Sequence, residues 1–77
     1  MSRAIQRAII TAVARAEDGV TYSSRHGARC PMCGQRLRVT VTKPWDGAAR
    51  VRWHRCQNPG CVLAGMGKAV KSVEMEG

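Results

Sequence analysis

A chain of 77 residues with three aromatic side chains (Tyr22, Trp45, Trp53) and no Phe fits one small domain, and a core this poor in large side chains needs a further staple. Thirteen basic against five acidic residues give a formal charge of +8, and ten of the thirteen are Arg. Such a chain favours a polyanionic partner, since the planar guanidinium binds phosphate and base edges bidentately, and its short apolar runs exclude a membrane-spanning helix.

Residues 1–19 are predicted to form an N-terminal amphipathic helix. Ser2 suits the N-cap and Gly19 the position after the last turn. Ile5, Ile9, Ala12, Val13 and Ala16 recur at three- and four-residue steps, while Arg3, Arg7, Thr11 and Arg15 step by four along another face. The stripe is short and needs a partner surface, either the cysteine module or a second copy of the chain, unless the helix serves as a basic docking helix. Arg3, Arg7 and the small residues around Arg15 imitate a secretion signal, but the apolar patch is too short and Arg15 interrupts it.

Residues 20–29 are predicted to be a linker with a short extended start. Ser23, Ser24 and Gly27 suit a loop, and His26 reads as a solvated loop residue.

Residues 30–77 are expected to form a zinc-ribbon-like module. Cys30-Pro31-Met32-Cys33 and Cys56-Gln57-Asn58-Pro59-Gly60-Cys61 stand 22 residues apart. Two close cysteine pairs at this separation point to one tetrahedral site with four thiolate ligands, which is the pattern of a structural zinc ion. Four thiolates around Zn²⁺ add a net charge of −2, so the loaded domain stays strongly cationic. Thiols held for a metal point to a reducing compartment such as the cytoplasm rather than to a disulfide scaffold. Zinc bound by such a set contributes about 10–16 kcal/mol to folding, so the metal-free chain is expected to be largely unfolded between Cys30 and Cys61.

Between the pairs, residues 35–42 alternate: Leu37, Val39 and Val41 on one side, Arg36, Arg38, Thr40 and Thr42 on the other. Lys43-Pro44-Trp45-Asp46-Gly47 reads as a hairpin turn, and residues 50–55 as the returning strand. The hairpin should turn Leu37, Val39, Val41, Val51 and Trp53 inward, and Arg36, Arg38, Arg50, Arg52 and His54 outward. The cationic face either meets a polyanion or keeps an exposed sheet soluble. Trp45, beside Lys43, could stack on a base, fill a partner's pocket or fold back over the hairpin. Beyond Cys61, residues 62–67 read as flexible because of Gly65 and Gly67. Residues 69–76 read as a third strand with Val73 and Met75 inward, or as a short helix through Ala69, Val70 and Val73.

The cysteines and their neighbours resemble the Ogr/Delta family of phage zinc-finger transcription activators. The likeness rests on the Cys30-Pro31-Met32-Cys33 knuckle and on Trp53-His54-Arg55-Cys56-Gln57-Asn58-Pro59-Gly60-Cys61, and it covers about residues 29–61. It implies that Cys30, Cys33, Cys56 and Cys61 hold one zinc ion. It also implies a role in binding DNA upstream of late promoters and contacting host RNA polymerase, in the cytosol of a bacterial host. In this chain 29 residues precede the first cysteine, where family members begin almost at it.

The expected fold is therefore a small metal-stabilised α+β domain, a β-hairpin between two cysteine knuckles preceded by a helix. The expected function is that of a phage- or prophage-type transcription regulator and not an enzyme. It should bind DNA, or RNA by the same chemistry, through Arg36, Arg38, Lys43, Trp45, Arg50, Arg52 and His54. The alternative is a zinc-stabilised protein-interaction adaptor that uses the N-terminal helix or Trp45. Redox or iron chemistry is disfavoured by the second cysteine pair, with its four-residue spacing, and by the absence of a βαβ pattern. Hydrolysis is disfavoured because four cysteines leave no open metal position for water.

Overall fold

The computed structural model describes residues 2–76. In chain order its elements are α1 (Arg3–Asp18), β1 (Val20–Thr21), β2 (Arg38–Thr42), β3 (Ala49–Arg55), α2 (Val62–Met66) and β4 (Val70–Met75).

Helix α1 starts and stops as its sequence predicts. The Ser2 hydroxyl oxygen accepts from the Ile5 N–H at 3.2 Å, and the Gly19 N–H donates to the Arg15 carbonyl. Its C-terminal half lies against β4, burying Ala12 and Ala16. Lys68 Nζ donates to Glu17 Oε1 at 2.8 Å and ties the last turn to the chain entering β4. The N-terminal half overhangs this packing, and Ile5 and Ile10 are exposed.

The four strands form one mixed sheet in the order β1-β4-β3-β2, with β1 parallel to β4 and the other neighbours antiparallel. Segment 20–29 is therefore more than a linker. Its extended start is a sheet strand, and the Tyr22 N–H continues the pairing by donating to the Val73 carbonyl. A tight turn follows, in which Ser23 Oγ accepts from the N–H groups of Arg25 and His26. The chain then brings Gly27 and Ala28 into the interior.

The β2–β3 hairpin forms between the cysteine pairs. Asp46 and Ala49 exchange both backbone hydrogen bonds around a two-residue turn, and Gly47 takes φ +61° at its first central position. Residues 69–76 take the strand reading as β4. The inward set differs from expectation: Val70 and Ser72 are buried, Val73 is half-buried and Met75 is exposed. Residues 62–67 are ordered into α2, which Gly67 ends in the left-handed conformation at φ +65°. Leu63 drives this turn, since its side chain is fully buried with the cysteines.

The largest correction concerns the faces of the hairpin. Val39 pairs with His54 but Val41 pairs with Trp53, so Thr40 is an extra residue and β2 carries a bulge there. The bulge places Val39 and Val41 on opposite faces, and both are exposed on this edge strand. On β3 the inward residues are Arg52, 8% exposed, and His54, 0% exposed, whereas Val51 and Trp53 are only half-buried. The covered face of the sheet thus carries Val20, Val70, Ser72, Arg52 and His54.

Candidate metal centre and its basic surroundings

Each cysteine pair is built by a short backbone motif. Ala28–Leu37 is a small hairpin whose turn carries Cys30 and Cys33: the Gly34 N–H donates to the Cys30 carbonyl, the Cys30 N–H to the Gln35 carbonyl, and the Leu37 N–H to the Ala28 carbonyl. The Met32 N–H points at Cys30 Sγ, 3.4 Å away. Cys56 directly follows β3. Asn58 shapes the loop after it, its carbonyl accepting from the Cys61 N–H and its side-chain oxygen from the Gly60 N–H. Cys61 then begins α2.

These motifs bring the four sulfur atoms within 4.8 Å of one another, with Cys30–Cys61 at 3.7 Å and Cys33–Cys56 at 3.6 Å. A disulfide needs its sulfurs about 2.05 Å apart, so these are not bonded pairs. A tetrahedral ion with metal–sulfur distances of about 2.3 Å has sulfur–sulfur edges of about 3.8 Å, and the two short separations match such an edge. Cys30, Cys33, Cys56 and Cys61 are thus positioned to coordinate one metal ion.

The local electrostatics prepare the set unevenly. Burial pushes the Cys30 thiol up, and burial drives Cys56 to about 12. Burial also raises Cys33, but the Gln35 backbone N–H, the Asn58 side chain and the neighbouring thiols outweigh it and bring that group to about 6. A divalent ion at the centre of the four sulfurs would offset the burial that raises Cys30 and Cys56, because its charge favours the thiolates.

The cationic residues divide into two groups. Arg50, half-buried, and Arg52, buried, are engaged by partners within the fold. Both donate to Glu74 Oε1 on β4, Arg50 Nη2 at 3.1 Å, and Arg52 also lies over the Tyr22 ring, 3.9 Å from its centroid. Hydrogen bonding from Arg52, with help from Arg50, holds the Glu74 carboxyl below its ordinary value. His54 hydrogen-bonds through Nε2 to Ser72 Oγ at 2.7 Å and stacks beside Tyr22. Its burial, together with the Arg52 charge, keeps the imidazole neutral to lower pH than usual. Arg52 and His54 therefore do not face outward as the alternation predicts. Cys56 carries the signal for this: it faces the cysteine cluster, and an extended strand puts His54 and Arg52 on the same side as Cys56.

The second group is open. Arg36 and Arg38 are exposed, as expected, and so is Lys43. Arg29 and Arg55, which alternation and spacing do not single out, join them: Arg29 pairs across the backbone with Arg36, and Arg55 with Arg38. Arg55 also donates to the Gly67 carbonyl. Trp45 is 44% exposed and folds back over the hairpin, with the Arg50 guanidinium 4.7 Å from its ring centroid.

No family model, curated protein or solved structure matches the chain. Among the described residues, no helix is long and apolar enough to cross a membrane.

Proposed function

We propose that this protein is a zinc-stabilised nucleic-acid-binding module, with one structural zinc ion held by Cys30, Cys33, Cys56 and Cys61 and a polyanion held by the arginines beside it. One observation carries the proposal: Arg29 faces Arg36, Arg38 faces Arg55, and none of the four has a carboxylate within ion-pair distance among the described residues. Directly opposed like charges on a sheet destabilise it unless an anion lies between or above them. Phosphates supply that anion repeatedly along a strand, and each guanidinium offers a planar fork to receive them.

The zinc organises this surface without taking part in it. It fixes the Arg29–Arg36 hairpin to the end of β3, and so sets where the four arginines stand. The resemblance of residues 29–61 to the Ogr/Delta family favours a regulatory role on DNA, with RNA accessible to the same charges. The test is a binding titration of the zinc-loaded protein against DNA and RNA at several salt concentrations. Log K should fall linearly with log salt, by about 0.9 for each duplex phosphate neutralised. No binding to any nucleic acid at low salt overturns the proposal.

The exposed Ile5 and Ile10 on the overhanging half of α1 favour a second reading, a protein-interaction adaptor. Capture of a protein partner that survives high salt and is lost when residues 1–19 are removed distinguishes it.

A further inference from the structure

The sheet has one covered face and one open face, and the strand register fixes what the open face displays. Arg38 stands opposite Arg55, Val41 opposite Trp53, Trp53 opposite Lys71, and Val51 opposite Val73. Directly opposed residues point to the same side, so these side chains share one surface. All of them are half-buried or exposed, in contrast to the buried Arg52, His54, Val70 and Ser72 behind them. No Asp or Glu belongs to the strand positions of this face, because Glu74 pairs with Arg50 on the other side.

Trp53 sits within this surface. The other two aromatic rings are already used: Tyr22 carries Arg52 on its face and Trp45 carries Arg50. Among the described residues, no cation or second ring covers Trp53 in this way. Its half-buried indole stands beside Lys71 across the strand pair, and Arg55, with its partner Arg38, lies two residues along, about 7 Å away. A sheet face, an indole that no cation or ring stacks on and three cations at its margin form the combination that holds unpaired nucleic acid: the ring stacks a base and the cations take the adjoining phosphates. In a duplex the base faces are already stacked, so an indole cannot reach them without opening the helix.

We propose that the open sheet face centred on Trp53 binds single-stranded nucleic acid, with a base on the indole and the backbone along Arg38, Arg55 and Lys71. This inference rests on the nucleic-acid reading above and narrows it to unpaired strands. Val41, Val51 and Val73 complete the floor, where apolar packing tolerates any base.

The test uses the full zinc-loaded chain carrying Trp45→Phe, so that Trp53 is the only tryptophan. Oligothymidylate, oligouridylate and a hairpin duplex are titrated while tryptophan emission and the anisotropy of a labelled oligonucleotide are followed. Expected are quenching of Trp53 by at least one single strand and tighter binding of that strand than of the duplex; which single strand binds separates DNA from RNA. Trp53→Leu should weaken single-strand binding about 5- to 150-fold, the value of one stacked base, and Trp53→Phe should restore most of it. Single-strand binding that leaves Trp53 emission unchanged overturns the stacking site while the nucleic-acid reading survives. So does a duplex preferred over both single strands. Absence of binding to all three overturns both readings. The emission experiment needs no substitution at Trp53, so the test stands even if Trp53→Leu fails to fold.

Discussion

Arg52 lies over Tyr22 with its guanidinium carbon 3.9 Å from the ring centroid, and the same guanidinium donates to Glu74. A buried cation is stable only when paired and covered, and here β4 supplies the charge while the chain after β1 supplies the cover. Arg52→Ala should therefore lower stability by about 2 kcal/mol or more, because it removes both the cation–ring interaction and the ion pair. It should leave the salt dependence of nucleic-acid binding unchanged, because Arg52 is buried and already paired with Glu74. Urea unfolding and a salt titration of the same variant check both halves.

Glu74 serves two arginines, so Glu74→Gln should lower the urea midpoint of the zinc-saturated protein. The native carboxyl is held below its ordinary value by Arg52 and Arg50. A group depressed in this way contributes stability that is fully present above its unfolded pKa of about 4.3 and is lost as pH falls through the native value. The gap between the two proteins should accordingly stay constant from pH 7 to pH 5. A gap that closes within that interval contradicts the assignment.

The exposed arginines should behave in the opposite way to Arg52. Substituting Arg36 and Arg38 together with Ala should raise the stability of the free protein slightly, because it relieves both opposed pairs. It should flatten the slope of log K against log salt by about 0.9 for each duplex phosphate no longer neutralised, or about 0.7 for a single strand. An unchanged slope would move the anion site away from this edge.

Removing the metal with a strong chelator should collapse the region between Cys30 and Cys61, since the ion's binding free energy, about 10–16 kcal/mol in comparable sites, is also folding free energy. Cys56→Ser should have the same effect in the presence of zinc. Loss of amide dispersion in the NMR spectrum, and elemental analysis showing one zinc per chain, check this. A metal-free chain that keeps a dispersed spectrum refutes it.

Leu63 has no exposed surface and belongs to the same buried cluster as Cys30, Cys56, Cys61 and Val70. Leu63→Ala should cost about 2–5 kcal/mol and weaken metal retention, because the cavity opens in the packing around the site. A chelator-competition titration and thermal unfolding measure the two effects. By contrast, Ile10→Ala, at a side chain 68% exposed, should leave thermal stability within about 0.5 kcal/mol.

The parts of the molecule legible in its sequence are those governed by neighbours in the chain. Ser2 and Gly19 mark the ends of α1 through their own backbone and hydroxyl chemistry. The two cysteine knuckles announce their cluster because only tight loops with paired thiols have that spacing, and Gly47 marks the hairpin turn by its positive φ. The short extended start after Gly19 was legible too, while residues 69–76 read equally as a strand or a short helix until pairing with β1 and β3 made them a strand. Helix α2 was not, because Gly65 and Gly67 outweigh Val62 and Leu63 in a local reading, while burial of Leu63 against the cysteines decides the outcome.

The orientation of the hairpin lay beyond local pattern. By alternation alone, Val39, Val41, Val51 and Trp53 belong inside and Arg52 and His54 outside. The sequence by itself determined that a cationic hairpin would form between two clustering cysteine pairs, with a helix before it. Only the tertiary structure decided which face of that hairpin is covered. Tyr22, Ser72 and Glu74 come from 18 to 32 residues away to pair with Arg52 and with Nε2 of His54, and the extra residue at Thr40 breaks the alternation of β2. A polar side chain can be buried wherever the fold brings it a partner, and those partners stand on strands that only folding makes adjacent.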